Sequence, residues 1–307
     1  MKVVVVAGAT GSGKSALALR IAKAASGEIV NFDSVQIYRG FDIGSAKPPA
    51  EARRQVPHHL FDIIEAGDQF NAADYARVAR TTCAEIVSRG KLPILTGGTF
   101  FYLRAFLAGL PGMPARNEAI RNRLGRIGRQ PRGPGRLHRW LSRTDPVSGS
   151  RIAPGDRHRV DRALEVWITS GRPISSWDRP ASDSPSDIDA LKLGLAVDRP
   201  ELVRALDQRV EEMYRIGLVE EARTLLSRYP RDARPFGTIG YREAAAVVEG
   251  TITTDVAIAE TRRRTRAYAK RQMTWLRSER NVQWLPAADR ELTYAAAMRL
   301  IERFQLE

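Results

Sequence analysis

The residues with the clearest chemical meaning stand near the start of the chain, where residues 8–15 read GATGSGKS. This is the G-x-x-x-x-G-K-[ST] pattern of a loop that binds phosphate groups. The backbone N–H groups of such a loop hold anionic oxygens, its lysine bridges phosphate oxygens, and its serine hydroxyl binds Mg²⁺. The pattern therefore predicts a phosphate site formed by Gly8, Ala9, Thr10, Gly11, Ser12, Gly13, Lys14 and Ser15.

A carboxylate, Asp33, follows the second predicted strand, in the stretch NFDSVQIYRG. Open α/β sheets bind ligands at the carboxyl ends of their strands, so we expect Asp33 to face the space beyond the phosphate loop. There it can serve as a general base. An aspartate that only caps the following turn is an equally good interpretation of its position.

The third predicted strand ends in ILTGGT and carries no carboxylate. P-loop nucleotide hydrolases usually hold Mg²⁺ with an aspartate on such a strand. The sequence therefore argues against a hydrolase and leaves a small-molecule kinase open.

Alternating strand and helix patterns position these residues. Strand patterns at 3–7, 28–32 and 92–96 alternate with helix patterns at 14–25 and 72–89, which predicts an α/β fold with a parallel sheet. After GLPGMP (109–114), only helix patterns occur, at 117–127, 137–144 and 156–170, with QPRGPG (130–135) as a turn-rich loop; RPASDSPSD (179–187) closes this segment. A strand pattern returns at 190–197, helix patterns follow at 200–215, 219–228, 241–249 and 255–278, and VQWLP (282–286) is predicted as an edge strand. We predict a core formed by residues 1–110 and 189–307, the second part mostly helical, and a helical insertion domain at 111–188.

The charge of the chain is strongly positive and unevenly distributed. The formal net charge of the 307 residues is +14, and residues 111–185 hold 15 arginines, no lysine and 7 acidic residues, a net of +8. This concentration favours a polyanionic partner over a general abundance of arginine.

The single cysteine, Cys83, excludes a disulfide within the chain, and we expect it to be an inert buried thiol. His58 and His59 lack metal-ligand partners and are predicted to be structural. With no apolar run near ~18 residues, we expect a cytoplasmic protein without a membrane partner.

Several segments together resemble the tRNA dimethylallyltransferase (tRNA isopentenyltransferase) family. In chain order they are GATGSGKS, DSVQIYRGFDIGSAKP, PHHLFDI, LPILTGGTFFYLRAFLAGL, DRHRVDRALEVWITSG, TIGYREA and TRRRTRAYAKRQMTWLR. The resemblance runs almost end to end, except at QPRGPG and residues 177–189. It implies a P-loop kinase-like α/β core with a helical insertion, and transfer of a dimethylallyl group from dimethylallyl diphosphate to N6 of adenine 37 in tRNA, with Mg²⁺ as cofactor. The loop would then hold the diphosphate of an isoprenoid.

The resemblance also implies roles for individual residues. Asp33 would be the general base; Lys14, Ser15 and Mg²⁺ would stabilise the leaving diphosphate. Arg209 would contact the diphosphate, and Thr99 would lie near the reacting adenine. The implied tRNA contacts are Asp33, Ser34, Val35, Gln36, Thr99, Arg121, His158, Arg159, Val160, Asp161, Arg162, Gly237, Thr238, Ile239, Gly240, Tyr241 and Arg242, with Arg123 and Arg126 extending the helix face of Arg121.

The helix pattern at 255–278 contains two large aromatic residues. Tyr268 and Trp275 are seven residues apart and share one helix face, which predicts core positions.

The alternatives to prenyl transfer are an ATP-dependent kinase of a metabolite or nucleotide and a non-catalytic tRNA-binding protein. A kinase would not need the basic insertion, and the intact Lys14, Ser15 and Asp33 argue against a non-catalytic protein. We expect a monomer whose partners are the anticodon stem-loop of tRNA and dimethylallyl diphosphate.

Overall fold

A parallel β-sheet forms the centre of the protein. The computed structural model describes residues 1–177 and 187–307, and within these ranges the chain forms a six-stranded sheet in the order β3-β2-β4-β1-β5-β6. All neighbouring strands are parallel. The strands are β1 (Lys2–Ala7), β2 (Gly27–Asn31), β3 (His58–His59), β4 (Leu92–Thr96), β5 (Asp189–Ala196) and β6 (Val282–Pro286). The predicted α/β class is confirmed, and VQWLP forms the edge strand β6.

Thirteen α-helices accompany the sheet in the described residues. They are α1 (Lys14–Ala24), α2 (Ala50–Gln55), α3 (Ala72–Ser88), α4 (Phe100–Ala108), α5 (Glu118–Arg129), α6 (Gly133–Thr144), α7 (Pro146–Arg151), α8 (Arg157–Ser170), α9 (Arg199–Arg215), α10 (Leu218–Leu226), α11 (Tyr241–Val248), α12 (Thr254–Ser278) and α13 (Arg290–Leu306). The turn-rich loop predicted at 130–135 is partly wrong, because α6 already begins at Gly133 with a proline in its first turn. Proline is well placed there, since its missing N–H has no partner in the first turn of any helix.

The chain divides into two compact units. The first consists of Met1–Leu107 and Asp187–Glu307 and contains the sheet; the second is Ala108–Ser186, described to residue 177, and contains α5 to α8. Most of the stretch RPASDSPSD lies outside the described residues. Within the first unit, the guanidinium of Arg80 donates to the carboxylate of Asp187 at 2.8 Å and to the carbonyl of Phe106 at 2.9 Å. One side chain therefore holds together the two places where the insertion leaves and rejoins the core.

The core of the first unit is built on the buried strands. The β-branched run of β1 is fully buried, as a strand covered on both faces must be. On the sheet face that α1 covers, Val4, Ile29 and Ile94 pack with Leu17 and Ile21 of the helix. This packing places the first turn of α1 at the carboxyl ends of β1, β2 and β4, where the predicted site residues lie.

The second unit has a small core of its own. Leu124, Leu137, Leu141, Val160 and Leu164 are buried together where α5, α6 and α8 meet. Among the residues of this unit that the structure describes, no strand is present. In the described parts of the whole chain, no helix is long and apolar enough to cross a membrane.

Candidate active site

The phosphate loop leads directly into α1. Gly11 and Gly13 adopt positive φ angles of 79° and 84°, a conformation that side chains disfavour, so glycine is needed at both turns. Gly13 is the N-cap of α1, and no side chain caps this end of the helix. The first N–H groups of α1 are therefore available to an anion, as the sequence pattern predicts.

A cavity of about 430 Å³ lies against this loop. Most of the predicted catalytic and phosphate residues with side chains that can bind a ligand line it, together with the predicted tRNA contact Gln36 and two residues from α12. These lining residues are Thr10, Lys14, Ser15, Asp33, Gln36, Arg209, Tyr268 and Gln272. A second cavity of about 300 Å³ is lined by Ser34, Val35 and the segment from Gly237 to Gly240. Thr10, Asp33, Arg209 and Tyr268 line both cavities. The first unit therefore brings the predicted base to a point that two cavities share.

The carboxylate of Asp33 caps the following turn with one oxygen and turns the other toward Gly98. Oδ1 accepts hydrogen bonds from the backbone N–H groups of Val35 at 2.8 Å and Gln36 at 3.4 Å, which caps the turn. Oδ2 faces Gly98: it lies 2.9 Å from the place that a β-carbon on Gly98 would occupy. The turn thus orients the carboxylate while one oxygen still faces the cavity.

Gly98 lies between Asp33 and α12. The Gly98 carbonyl accepts hydrogen bonds from Tyr268 Oη and Gln272 Nε2, both at 2.9 Å. Gln272 Oε1 in turn accepts from the backbone N–H of Thr10 at 2.8 Å. Gln272 therefore fastens the phosphate loop to the Gly-Gly turn after β4. Sequence reasoning missed this role, although the residue lies in the AKRQMTWLR segment that carries the family resemblance.

The two aromatic residues of α12 do not share one environment. Trp275 stacks on Phe100 with ring centroids 4.7 Å apart, as a core residue would. Tyr268 lines both cavities and donates to Gly98, so the predicted core position is wrong for this residue. Burial raises the pKa of the Tyr268 hydroxyl, helped by the negative charge of Asp33, which keeps the hydroxyl protonated as a donor.

Two cations face the cavity with their charges poorly solvated. The pKa of Lys14 is lowered to about 8, chiefly by burial and secondly by the positive charge of Arg209, whereas Asp33 opposes the shift. Burial also lowers the pKa of Arg209, again opposed by Asp33. Two cations held this way, with one carboxylate to offset them, form an electropositive cavity suited to a polyanion.

Comparison with known proteins identifies the family of the chain. The family model described as IPP transferase matches residues 36–279. The chain belongs to the IPP transferase family. The match extends from Gln36 to just beyond the end of α12, and so includes parts of the first unit and the whole of the second.

Individual relatives of this IPP transferase align along nearly its whole length. A tRNA dimethylallyltransferase of Solibacter usitatus is 49% identical over 286 residues, covering 93% of this chain and 92% of the relative. A tRNA dimethylallyltransferase of Geobacter sulfurreducens is 44% identical over 285 residues, covering 92% of this chain and 91% of the relative. The crystal structure of the tRNA isopentenylpyrophosphate transferase of Bacillus halodurans superposes with a TM-score of 0.73 at 34% identity, covering 98% of this chain and 95% of that one. The structure of a eukaryotic dimethylallyltransferase acting on tRNA superposes with a TM-score of 0.76 at 27% identity, covering 94% of this chain and 74% of that one. The P-loop-like α/β core is thereby confirmed.

In the first unit, the implied tRNA residues differ in accessibility. The hydroxyl of Thr99 accepts from the backbone N–H of Ser34 and donates to the Ser34 hydroxyl, both at 3.0 Å. Arg242 is exposed. Tyr241 is fully buried, and its hydroxyl donates to Glu221 at 2.5 Å. Its side chain therefore supports the neighbouring segment and has no surface left for RNA.

The implied tRNA residues of the insertion divide in the same way. Arg121 and Arg162 both donate to the buried carboxylate of Glu165. Val160 is fully buried in the core of the unit, so its side chain is inaccessible to RNA. His158 and Arg159 are exposed. Asp161 accepts a hydrogen bond from Arg157, while Arg123 and Arg126 are also exposed.

The donor groups near the loop fit a magnesium ion that keeps most of its water. No group of three or more His, Cys, Asp or Glu side chains is placed to hold a metal in residues 1–177 and 187–307. The larger cavity does hold the exposed Ser15 and the carboxylate of Asp33 beside the phosphate loop. Mg²⁺ typically binds one or two protein oxygens, the phosphates of the substrate and several waters. This donor set therefore suits an ion that arrives with its diphosphate.

Proposed function

We propose that this IPP transferase catalyses transfer of a dimethylallyl group from dimethylallyl diphosphate to N6 of adenine 37 in tRNA. The observation that carries the proposal is the position of Asp33, between a cavity lined by the phosphate loop and a second cavity lined by Ser34, Val35 and residues 237–240. An acceptor amine in the second cavity would meet the donor at this carboxylate. The names of the relatives, tRNA dimethylallyltransferase, support both substrates.

The donor side of the proposal rests on charge. As the allylic C–O bond breaks, negative charge grows on the leaving diphosphate. The N–H groups at the start of α1 and the cations of Lys14 and Arg209 are fixed before the reaction, so they stabilise this charge without reorganising. When bound, Mg²⁺ would neutralise further charge on the diphosphate, and the hydroxyl of Ser15 would help to hold it.

The acceptor side rests on Asp33. The adenine amine is a weak nucleophile and must lose a proton as its bond to the allylic carbon forms. Oδ2 of Asp33 would accept that proton, while the hydrogen bonds of Val35 and Gln36 to Oδ1 hold the carboxylate in place. The C–O electron pair leaves with the diphosphate, so the protein gains only a proton, which it returns to water after product release.

The proposal also gives the basic insertion a partner. An adenine must leave its stack before its exocyclic nitrogen can enter a cavity. Exposed cations such as Arg123, Arg126 and Arg159 can hold the RNA backbone meanwhile, since phosphate contacts supply much of the affinity for RNA. We further propose that the enzyme acts as a monomer, because the base and the donor cations belong to one structural unit.

A paired assay tests the reaction class. Purified protein and Mg²⁺ are incubated with an unmodified anticodon stem-loop carrying adenines at positions 36, 37 and 38, with labelled dimethylallyl diphosphate in one tube and γ-labelled ATP in the other. We expect label in the RNA from the prenyl donor and intact ATP. Consumption of ATP with added metabolites, without prenyl transfer, would establish the kinase alternative.

Two matched variants then test the base. Asp33→Asn should lower the chemical rate by at least about 100-fold, the lower range for loss of a general base, and should change stem-loop affinity much less. Asp255→Asn makes the same chemical change at an exposed position in the first turn of α12 and should leave the rate unaltered. Turnover of the Asp33 variant within a few-fold of the wild type would exclude this residue as the base.

A further inference from the structure

Thr96, the last residue of β4, has a side chain that its surroundings do not explain. The residue is 5% exposed, and its hydroxyl oxygen is buried without a hydrogen-bond partner among the described residues. Burying a hydroxyl without a partner is unfavourable, so such groups usually serve a ligand or an ordered water. A valine would fill the same volume at this position without that cost.

The sheet register shows where this hydroxyl lies. β4 runs between β1 and β2, and Thr96 pairs with Val6 of the strand before the phosphate loop and with Asn31 of the strand before Asp33. Side chains two residues apart on a strand share a face, so Thr96 lies on the same face as Ile94. Ile94 packs in the cluster that contains α1. Thr96 therefore points to the α1 side of the sheet, and it lines the larger cavity with Ser15 and Asp33.

This is the position from which P-loop nucleotide hydrolases supply a carboxylate to Mg²⁺, on a strand beside the phosphate loop. The chain has no carboxylate there. We propose that the Thr96 hydroxyl takes over part of that task by hydrogen-bonding a water of the Mg²⁺ hydration shell when the metal is bound with a diphosphate. The inference rests on the proposed function, because it assumes that the larger cavity receives a metal-bound diphosphate.

A neutral hydroxyl suits this reaction better than a carboxylate. An aspartate at position 96 would add a second negative charge to a cavity that already holds Asp33 and must also accept a polyanion. A hydroxyl contributes one hydrogen bond without that repulsion. It also holds the ion less firmly, which favours departure of the metal with the diphosphate product.

The test measures metal binding without catalysis. Thr96→Val preserves shape and removes the hydroxyl, whereas Thr96→Ser retains the hydroxyl; Thr96→Ala is a second hydroxyl-free variant that adds no bulk. Mn²⁺ binding is followed by electron paramagnetic resonance in the presence of inorganic diphosphate, and diphosphate binding without metal is measured by calorimetry in EDTA. Thermal unfolding of each ligand-free variant serves as the folding control.

We expect Thr96→Val and Thr96→Ala to weaken Mn²⁺ binding by up to about tenfold, the upper end of the usual effect of losing one hydrogen bond, and Thr96→Ser to remain near the wild type. Diphosphate binding in EDTA should not change, and ligand-free Thr96→Val should unfold at the same or a higher temperature. Mn²⁺ affinity of both hydroxyl-free variants within twofold of the wild type would overturn the inference alone. Failure of the wild-type protein to bind Mn²⁺ with diphosphate would overturn the inference and the proposed function together.

Discussion

The low pKa of Lys14 should make the proposed binding of diphosphate sensitive to pH. The pKa of the lysine in the free protein is about 8, chiefly because of burial and secondly because of Arg209. A bound diphosphate needs the protonated lysine and stabilises it, so binding raises this pKa. Affinity should therefore be complete below pH 8 and should fall as the pH rises through 8.

The size of the effect follows from the pKa. At pH 7 about nine in ten molecules carry protonated Lys14, and at pH 9 about one in eleven does, so the dissociation constant for inorganic diphosphate should rise about tenfold between these values. Calorimetry without RNA gives this constant and avoids the titration of nucleobases. Lys14→Arg provides the control, because a guanidinium stays protonated throughout the range.

Two results would refute this reasoning. A change of less than about threefold between pH 7 and pH 9 would mean that Lys14 keeps its proton in the free protein. An equal loss of affinity in the Lys14→Arg variant would assign the pH dependence to another group. The arginine variant is expected to bind less tightly at every pH, since its planar fork does not replace a compact ammonium.

The other predictions concern packing around the base, the loop and the insertion. Gly98→Ala places a methyl group 2.9 Å from Asp33 Oδ2 and should lower turnover at least about tenfold in single-turnover kinetics, with stem-loop affinity little changed. Glu221→Ala leaves the backbone N–H groups of Asp42 and Ile43 without their acceptor, whereas Gly44 keeps Tyr241 Oη, and the change should cost about 2–3 kcal/mol of unfolding free energy in urea titrations. Glu165→Ala removes a fully buried carboxylate that holds two arginines and should cost about 3 kcal/mol, detected as a lower melting temperature of the insertion. Arg159→Ala should reduce the slope of log affinity for the stem-loop against log salt by about 0.7–0.9, and an unchanged slope would place the RNA elsewhere.

Local patterns were sufficient to predict the elements that carry the site. The buried β-branched run, the glycine-rich loop and the helix after it follow one another in the chain, so β1 and α1 are specified by adjacent residues. Asp33 is predictable for the same reason, because it stands directly after β2. The sequence did not reveal α4 as a helix or α13 at all. Both depend on tertiary packing more than on a clear amphipathic pattern: rings of α4 stack on α3 and α12, and α13 packs on α1, β5 and β6.

The contacts that complete the site join residues far apart in sequence. Gln272 reaches Thr10 across 262 positions, which no local pattern can indicate. A shared helix face misled the interpretation of Tyr268 and Trp275, because two turns of helix also separate them by about 10 Å along the axis. At that separation one ring meets Phe100 and the other reaches the cavity. Similarly, Val160 lies within a basic segment but faces inward.

The hydrogen bonds of Arg80 have a consequence for how the chain assembles. Strand β5 must join β1 across roughly 180 intervening residues, of which the insertion supplies nearly half. Because Arg80 holds Phe106 and Asp187 side by side, a folded insertion shortens the loop that must close. The gain in closure entropy is only about 0.5 kcal/mol, since this cost grows with the logarithm of loop length. The core therefore tolerates a module of this size at almost no energetic cost, and natural variation in its length should concentrate between these two anchor points.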